Sequence, residues 1–510
     1  MRKNIIMAFA AICSCLPGSM QAFNDLWSSQ VVADEEARQL YISPTGKDTN
    51  DGDAPDKAWR TWSKVLNNIQ PGDVVNIMPG TYNSSSWNPV INLKENHSGT
   101  EDGYIYFRAY DPNNRPKFKA GGKGVWNCVN INASYIVFDG IEMEGKNQDL
   151  DSLSADNISK DYKNNDWGDL AVYNTNGINI GGGGTNGSQP HHVIIRNCIV
   201  HDFPGGGMGG QVTDYVAFEN NTIYNNAWFT MYACSGISIL QPYNYDDEDG
   251  YHNVVIGNTV YNNHTKIKWY TSNNPRFSDG NGIIMDINLS ADTSVPVDEI
   301  KNGGAYRQKT LVANNVCYFN GGSGIHAFKA QNIDIFNNTT YMNEQRYNGE
   351  YGEIFSQSGQ NNRIINNIMY SKSGGKCNNY STGGGSYSYN LYYNGSWTGT
   401  VGSNKMSNPR FVHAPVNPAD EANFHVEASS PAVGFGQLYS FIPDTDKEGV
   451  DRTTGIVVGA YQTTVATGIS SVAVSKDDDA DNRCYDLMGR PVTSQYHGIV
   501  IMKGKKIIMK

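Results

Sequence analysis

The sequence predicts an all-β chain wound as a right-handed parallel β-helix, a solenoid with a short N-terminal capping helix and a small C-terminal β module. Three observations carry that prediction. The 510 residues include 54 glycines, tyrosine outnumbers phenylalanine 31 to 17, and only 17% of residues are charged, a composition of short strands and many turns. Six segments align without gaps: VIIRNCIV, VAFENNTIY, VVIGNTVY, LVANNVCY, IDIFNNTTY and RIINNIMY. With Asn197, Asn221, Asn258, Asn315, Asn338 and Asn367 as anchors, the residue three positions on is Val200, Tyr224, Tyr261, Tyr318, Tyr341 and Tyr370. Third, the anchors stand 24, 37, 57, 23 and 29 residues apart, which reads as a coil of about 23 residues with insertions at fixed corners. Asparagine tolerates left-handed backbone angles and bonds its own turn, so stacked corners can carry an asparagine ladder.

Taken in order, residues 1–22 (MRKNIIMAFAAICSCLPGSMQA) read as a secretory signal: two basic residues, an apolar core too short to span a bilayer, then small residues. A lipid anchor on Cys15 is the alternative. The β-helix is expected over residues 38–462. Near its start Trp59, Trp62, Leu66 and Ile69 fall on one face of a short amphipathic helix, which would cover the open end of the solenoid. YIYFRAY, WNCVNINASYIVFDGIEMEG and VYNTNGINIGGGG are early, less regular coils, and NPRFV, SPAVGFG and GIVVGAYQ read as closing strands. Residues 463–481 form a polar, acidic linker, and residues 482–510 a compact strand pattern ending in a basic hairpin.

Past the signal, no segment is apolar for long enough to make a membrane helix. Cys128, Cys198, Cys234, Cys317, Cys377 and Cys484 lack metal-site spacing and are too sparse for a disulfide framework, so they read as buried thiols. The net charge of −11 argues against a nucleic-acid partner, because no basic patch exists to displace counterions. A solenoid closes its own core, so a monomer is expected.

YISPTGKDTNDG with PGDVVNIMPGTY, the Asn-anchored coils, and SPAVG with GAYQ together resemble the secreted β-helix enzymes that attack polysaccharides, over most of residues 38–462. Within that group the organisation is similar to polysaccharide lyase family 9, the pectate lyase and rhamnogalacturonan lyase family. The resemblance implies cleavage of a uronate polymer, pectic first, by β-elimination, with calcium held by aspartates and a lysine base in a glycine-rich coil. In GNGII, Ile284 falls at that lysine's place. YDLMGRPV followed by GIVIMKGKKIIMK resembles the C-terminal sorting domain of proteins exported by the Bacteroidetes type IX system, which implies a secreted or cell-surface protein. The other reading of that segment is a β module that seals the chain end.

The two largest insertions, between Asn221 and Asn258 and between Asn258 and Asn315, would raise loops beside adjacent coils and wall a groove. There GISIL, GIIMD and GIHAF read as stacked strands. Alternation puts Ile237, Ile239, Ile283, Met285, Ile325 and Ala327 inward, and Ser238, Leu240, Ile284, Asp286, His326 and Phe328 outward. Asp286 and His326 would then share a face, diagonally across one strand spacing, with Lys329 at the strand end and Asp279 at a corner.

For a lyase, Lys329, His326 or Arg307 would be the base, and Asp279 and Asp286, with Asp246, Asp247 or Asp249, would offer calcium hard oxygen ligands. For a glycoside hydrolase, Asp279 and Asp286 are the acid and base pair. Under either mechanism Tyr243, Tyr245, Trp269 and Tyr270 would present flat faces to sugar rings. A third reading is a non-catalytic glycan-binding or adhesin solenoid.

Overall fold

The computed structural model describes residues 26–463 except 183–187, 290–304, 348, 381–383, 399–402 and 453–454, and beyond them the strands within residues 484–509. The signal-like residues 1–22 and the linker from residue 464 lie outside the described residues. Among the described residues, three parallel sheets of eleven, eleven and nine strands, here sheets A, B and C, take every third strand of the chain, except that sheet A opens and sheet B closes on two consecutive strands. One coil runs Asp214–Glu219 in sheet A, Thr222–Tyr224 in sheet B and Ile237–Leu240 in sheet C, and then returns to sheet A at Tyr251–Ile256. The fold is the parallel β-helix that the repeat predicts.

Residues facing inward stack on their equivalents one coil away. Ile195, Phe218, Val255, Val312, Ile335 and Ile364 form one such column in sheet A, all fully buried. Burying column upon column of branched and aromatic side chains is what holds a fold whose coils touch only their neighbours.

The asparagine ladder exists, but two adjacent residues divide its work. Asn220, Asn314, Asn337 and Asn366 take the left-handed backbone at φ 53°, 56°, 52° and 60°, and the residue after each points inward. Asn221 Oδ1 accepts from the backbone N–H of Cys198 at 2.9 Å, Asn258 Oδ1 from Asn221, and so on through Asn315, Asn338, Asn367 and Asn390. The first anchor is therefore displaced by one: Asn197 is the left-handed residue at φ 54°, and Cys198 takes the ladder position 23 residues before Asn221. The residue three beyond Cys198 is His201, which stacks on Tyr224 at 4.8 Å. Tyr224 stacks on Tyr261 at 4.9 Å and Tyr261 on Tyr318 at 4.7 Å, the spacing of neighbouring strands. A second ladder at the B-to-C corner runs Asn226, Asn263, Asn320 and Asn343 and ends on the carboxylate of Glu353. Its signal was in the sequence, an asparagine five positions after an anchor.

The capping helix spans Trp62–Leu66, with the Thr61 hydroxyl accepting from the Lys64 N–H at 3.2 Å. Trp62, Leu66 and Ile69 pack on the core as expected, whereas Trp59 lies outside the helix in extended chain bridged to Ile42. At the other end, NPRFV supplies the strand Phe411–His413, paired antiparallel with Asn423–Val426. SPAVGFG and GIVVGAYQ are not strands. The backbone carbonyls of Val457 and Gly459 are taken by the guanidinium of the fully buried Arg452 instead of a ladder, while Ala432, Val457 and Val458 pack on Ile368 and Leu391.

Cys128, Cys198, Cys317 and Cys377 are buried free thiols. Among the described residues no helix is long and apolar enough to cross a membrane. From Thr464 on the chain is a separate unit, a four-stranded antiparallel sheet of Cys484–Asp486, Pro491–Val492, Gly498–Met502 and Lys505–Met509.

Candidate active site

The alternation expected in sheet C holds. Ile237, Ile239, Ile283, Met285, Ile325 and Ala327 all join the core. Ser238 pairs with Ile284 and Ile284 with His326, while Leu240 pairs with Asp286 and Asp286 with Phe328. Asp286 and His326 thus stand diagonally on the outward face. That face is itself covered, because Ile284 is only 2% exposed and His326 only 3%.

Asp279 enters at the corner before strand Ile283–Asp286. It adopts a left-handed backbone at φ 55°, followed by Gly280 at φ 72°, so the chain turns sharply into the strand and carries the carboxylate over the sheet. Part of its surface meets solvent, but the carboxyl is set deep among Ser278, Tyr347 and Tyr351, and Ser278 Oγ lies 3.4 Å from its Oδ1. Burial pushes its pKa up. Asp286 closes the strand, and its carboxyl is pushed up further, first by burial and then by the charge of Asp279, with the Lys329 ammonium opposing. Its Oδ1 is buried and has no hydrogen-bond partner.

A neighbouring loop supplies residues that the sequence reading missed. The rings of Tyr347 and Tyr351 lie 4.4 Å apart, Tyr351 meets the edge of His326 at 5.6 Å, and His326 stacks parallel on Phe355 at 4.8 Å. Glu344 anchors this loop by accepting the Tyr351 N–H at 2.6 Å. The available signal was the insertion RYNGEYGE ahead of the strand Ile354–Gln357, whose two tyrosines sit two coils beyond Asp279 and one beyond the strand of His326.

The remaining candidates are dispersed. Asp246, Asp247 and Asp249 belong to the C-to-A corner. Asp246 accepts from the Tyr215 hydroxyl at 2.9 Å, Asp249 is exposed, and Asp247 forms a surface ion pair with Arg307 at 2.6 Å. Arg307 is itself exposed and held by that partner. Calcium asks for six to eight oxygens. Among the described residues the only three acidic or histidine groups that converge are Glu142, Glu144 and His201, whose carboxylates are already bridged by Lys117 and Lys119. The five aspartates do not form one metal centre there.

Tyr243 is buried and donates its hydroxyl to the Gln189 carbonyl at 2.8 Å. Tyr245 stacks on His191 at 3.8 Å, and Tyr243 and Tyr245 line a cavity of about 440 Å³ together with Glu95 and Tyr135. Trp269 and Tyr270 lie on the B-to-C side, in the same connection as Asp279, where Tyr270 donates to Asp156 at 2.7 Å and Trp269 is bridged to Arg276. Lys329 leaves its strand at φ 45° at the C-to-A corner. The structure therefore brings Asp279, Asp286, His326 and Lys329 to one face, with Trp269 and Tyr270 on the connection that carries Asp279.

No protein-family model matches the chain, and no curated protein matches it. Solved structures do. The pectate lyase Pel9A is 17% identical, with 83% of this chain and 96% of that chain covered and a TM-score of 0.47. A rhamnogalacturonan lyase is 15% identical over 76% of this chain and 96% of that one, with a TM-score of 0.40. An alginate lyase from Paenibacillus sp. str. FPU-7 is 16% identical over 67% of this chain and 94% of that one, with a TM-score of 0.35. At these levels the likeness is one of winding, and the chemistry has to be read from the residues of the site.

Proposed function

We propose that this is a polysaccharide-acting β-helix enzyme that hydrolyses glycosidic bonds, with Asp279 and Asp286 as its acid and base pair. The observation that carries the reading is two carboxyls on one covered face, both pushed up by burial, with the charge of one raising the other. Two such groups do not both ionise near neutrality, and a pair whose environments separate their affinities for the proton divides into acid and base. Asp286, which feels both burial and Asp279, keeps the proton and delivers it to the departing glycosidic oxygen. Asp279 is the carboxylate that activates water or attacks the anomeric carbon. Lys329 steadies the charge left on Asp286 after the transfer.

A second reading is β-elimination from a uronate polymer, pectic or other. It is favoured by the ammonium of Lys329, which reaches Asp286 and would serve as base or as the charge facing a uronate. Ile284 stands where the resemblance placed a lysine and is buried, so Lys329 would have to take that part. The signal-like start and sorting-like end support action outside the cell or on its surface.

Incubating the purified protein with a panel of neutral and uronate polysaccharides separates these readings. New reducing ends without ultraviolet absorbance from unsaturated products support hydrolysis; that absorbance would move the assignment to β-elimination. Neither signal, with binding retained, would leave a glycan-binding solenoid and overturn both.

A further inference from the structure

His326 stands outward in strand Ile325–Phe328, between Ile284 in one neighbouring strand and Phe355 in the other. Its ring lies flat on Phe355, 3° from parallel, and meets Tyr351 edge-on, so the imidazole plane is fixed on two sides. Nε2 lies 3.2 Å from Oε1 of Gln357. An amide oxygen only accepts, so Nε2 carries the hydrogen, and the Nδ1 of the neutral ring is left as a bare acceptor. Burial pushes the imidazolium pKa down to about 4, which keeps the ring neutral at ordinary pH. Nδ1 is buried and has no donor. Buried acceptors are nearly always paired, so the bare Nδ1, on a face that also carries the bare Oδ1 of Asp286, is hydrogen-bonding capacity that the protein's own groups leave unused.

We propose that His326 Nδ1 receives a hydroxyl of the substrate and is a specificity-determining contact, selecting an uncharged sugar ring at the subsite beside the cleaved bond. This rests on the reading of the groove as a glycan-cleaving site and narrows it. A hydroxyl has a hydrogen for Nδ1 and lone pairs left for a neighbouring donor. A uronate carboxylate has only lone pairs, and set against a buried acceptor it is repelled. The orphaned nitrogen therefore discriminates against acidic sugars at this position, through a residue that takes no part in proton transfer. Phe355 beneath the ring and Gln357 behind it hold the acceptor in place, the arrangement that precise hydrogen-bond selection requires.

The test uses the full chain. Selective ¹⁵N labelling of histidine is expected to show His326 as the neutral Nε2–H tautomer in the free protein, with the Nδ1 resonance shifting when neutral oligosaccharide products are added. A free protein in the Nδ1–H tautomer would overturn the proposal. Steady-state kinetics provide the second arm. His326→Phe keeps the flat ring but removes the acceptor, and its KM should rise about tenfold with little change in kcat. His326→Asn, whose side-chain oxygen can fall near Nδ1, should recover part of that loss; thermal melts of both variants establish that they fold. An unchanged KM in a folded His326→Phe, or a wild-type preference for uronate over neutral oligomers, overturns this inference and leaves glycan cleavage standing. If wild type neither cleaves nor binds any glycan, the reading beneath it fails and takes the inference with it.

Discussion

Asp286 is an expensive residue to place where it stands, because a carboxyl removed from water with one oxygen unpaired weakens the fold whenever it ionises. Its folded pKa is raised above the unfolded value of about 3.9, so between the two the native state keeps a proton that the unfolded chain has lost. Stability supplied by this group thus falls as pH rises through that window. Asp286→Asn should melt higher than wild type at about pH 7, with the gap closing as pH falls toward about 4, while its turnover drops by roughly 10²–10⁴. Thermal melts across pH and initial rates check both halves, and a variant that is both less stable and fully active would contradict them. Lys329→Met removes the charge that draws the Asp286 pKa down, so the basic limb of the pH–rate profile should move to higher pH. The shared face of Asp286 and His326 was legible from strand alternation alone, and the corner position of Asp279 from the glycines that follow it. The pairing of Arg307 with Asp247, 60 positions apart, was not, because it depends on how two long loops meet.

Elements were legible to the extent that they repeat. The coil period, the inward columns and the stacked tyrosines all follow from residues recurring at one position per turn. The first anchor slipped by one because Cys198 replaces asparagine in the ladder and His201 replaces tyrosine in the stack, leaving Asn197 as the only visible match. Two of the three closing segments, SPAVGFG and GIVVGAYQ, were misread as strands because their apolar residues resemble strands, while the carbonyls of Val457 and Gly459 are taken by the side chain of Arg452, a few residues upstream, and not by a neighbouring strand. The ladder also carries a prediction. Asn315 Oδ1 accepts from both the N–H and the side-chain amide of Asn258, and because that amide also donates to the Phe218 carbonyl, Asn315→Ala strands the buried Asn258 N–H. Leaving it unpaired costs roughly 1–3 kcal/mol. Chemical denaturation should register that loss, with KM unaltered, since the ladder lies at the A-to-B corner and away from the groove.

At the scale of the molecule, a solenoid is as stable as its ends allow, because an uncapped coil exposes both core and strand edges. Trp62 touches Tyr82, Phe107 and Phe118 at ring distances of 5.8, 6.4 and 5.6 Å, closing the first coils. Trp62→Ala should cost about 3–5 kcal/mol and be seen as a lower unfolding midpoint. The residues from Thr464 form a compact unit of their own, so removing them should leave glycan cleavage by the β-helix unchanged. The central claim is that a carboxyl pair on the outer face of one sheet cuts the substrate. The most direct measurement is the pH dependence of kcat/KM for reducing-end release by wild type, Asp279→Asn and Asp286→Asn. The account predicts a bell-shaped wild-type profile, with the acidic limb lost and the rate collapsed in Asp279→Asn, and the basic limb lost with a similar collapse in Asp286→Asn. Full wild-type rates and an unchanged bell in both folded variants would contradict it.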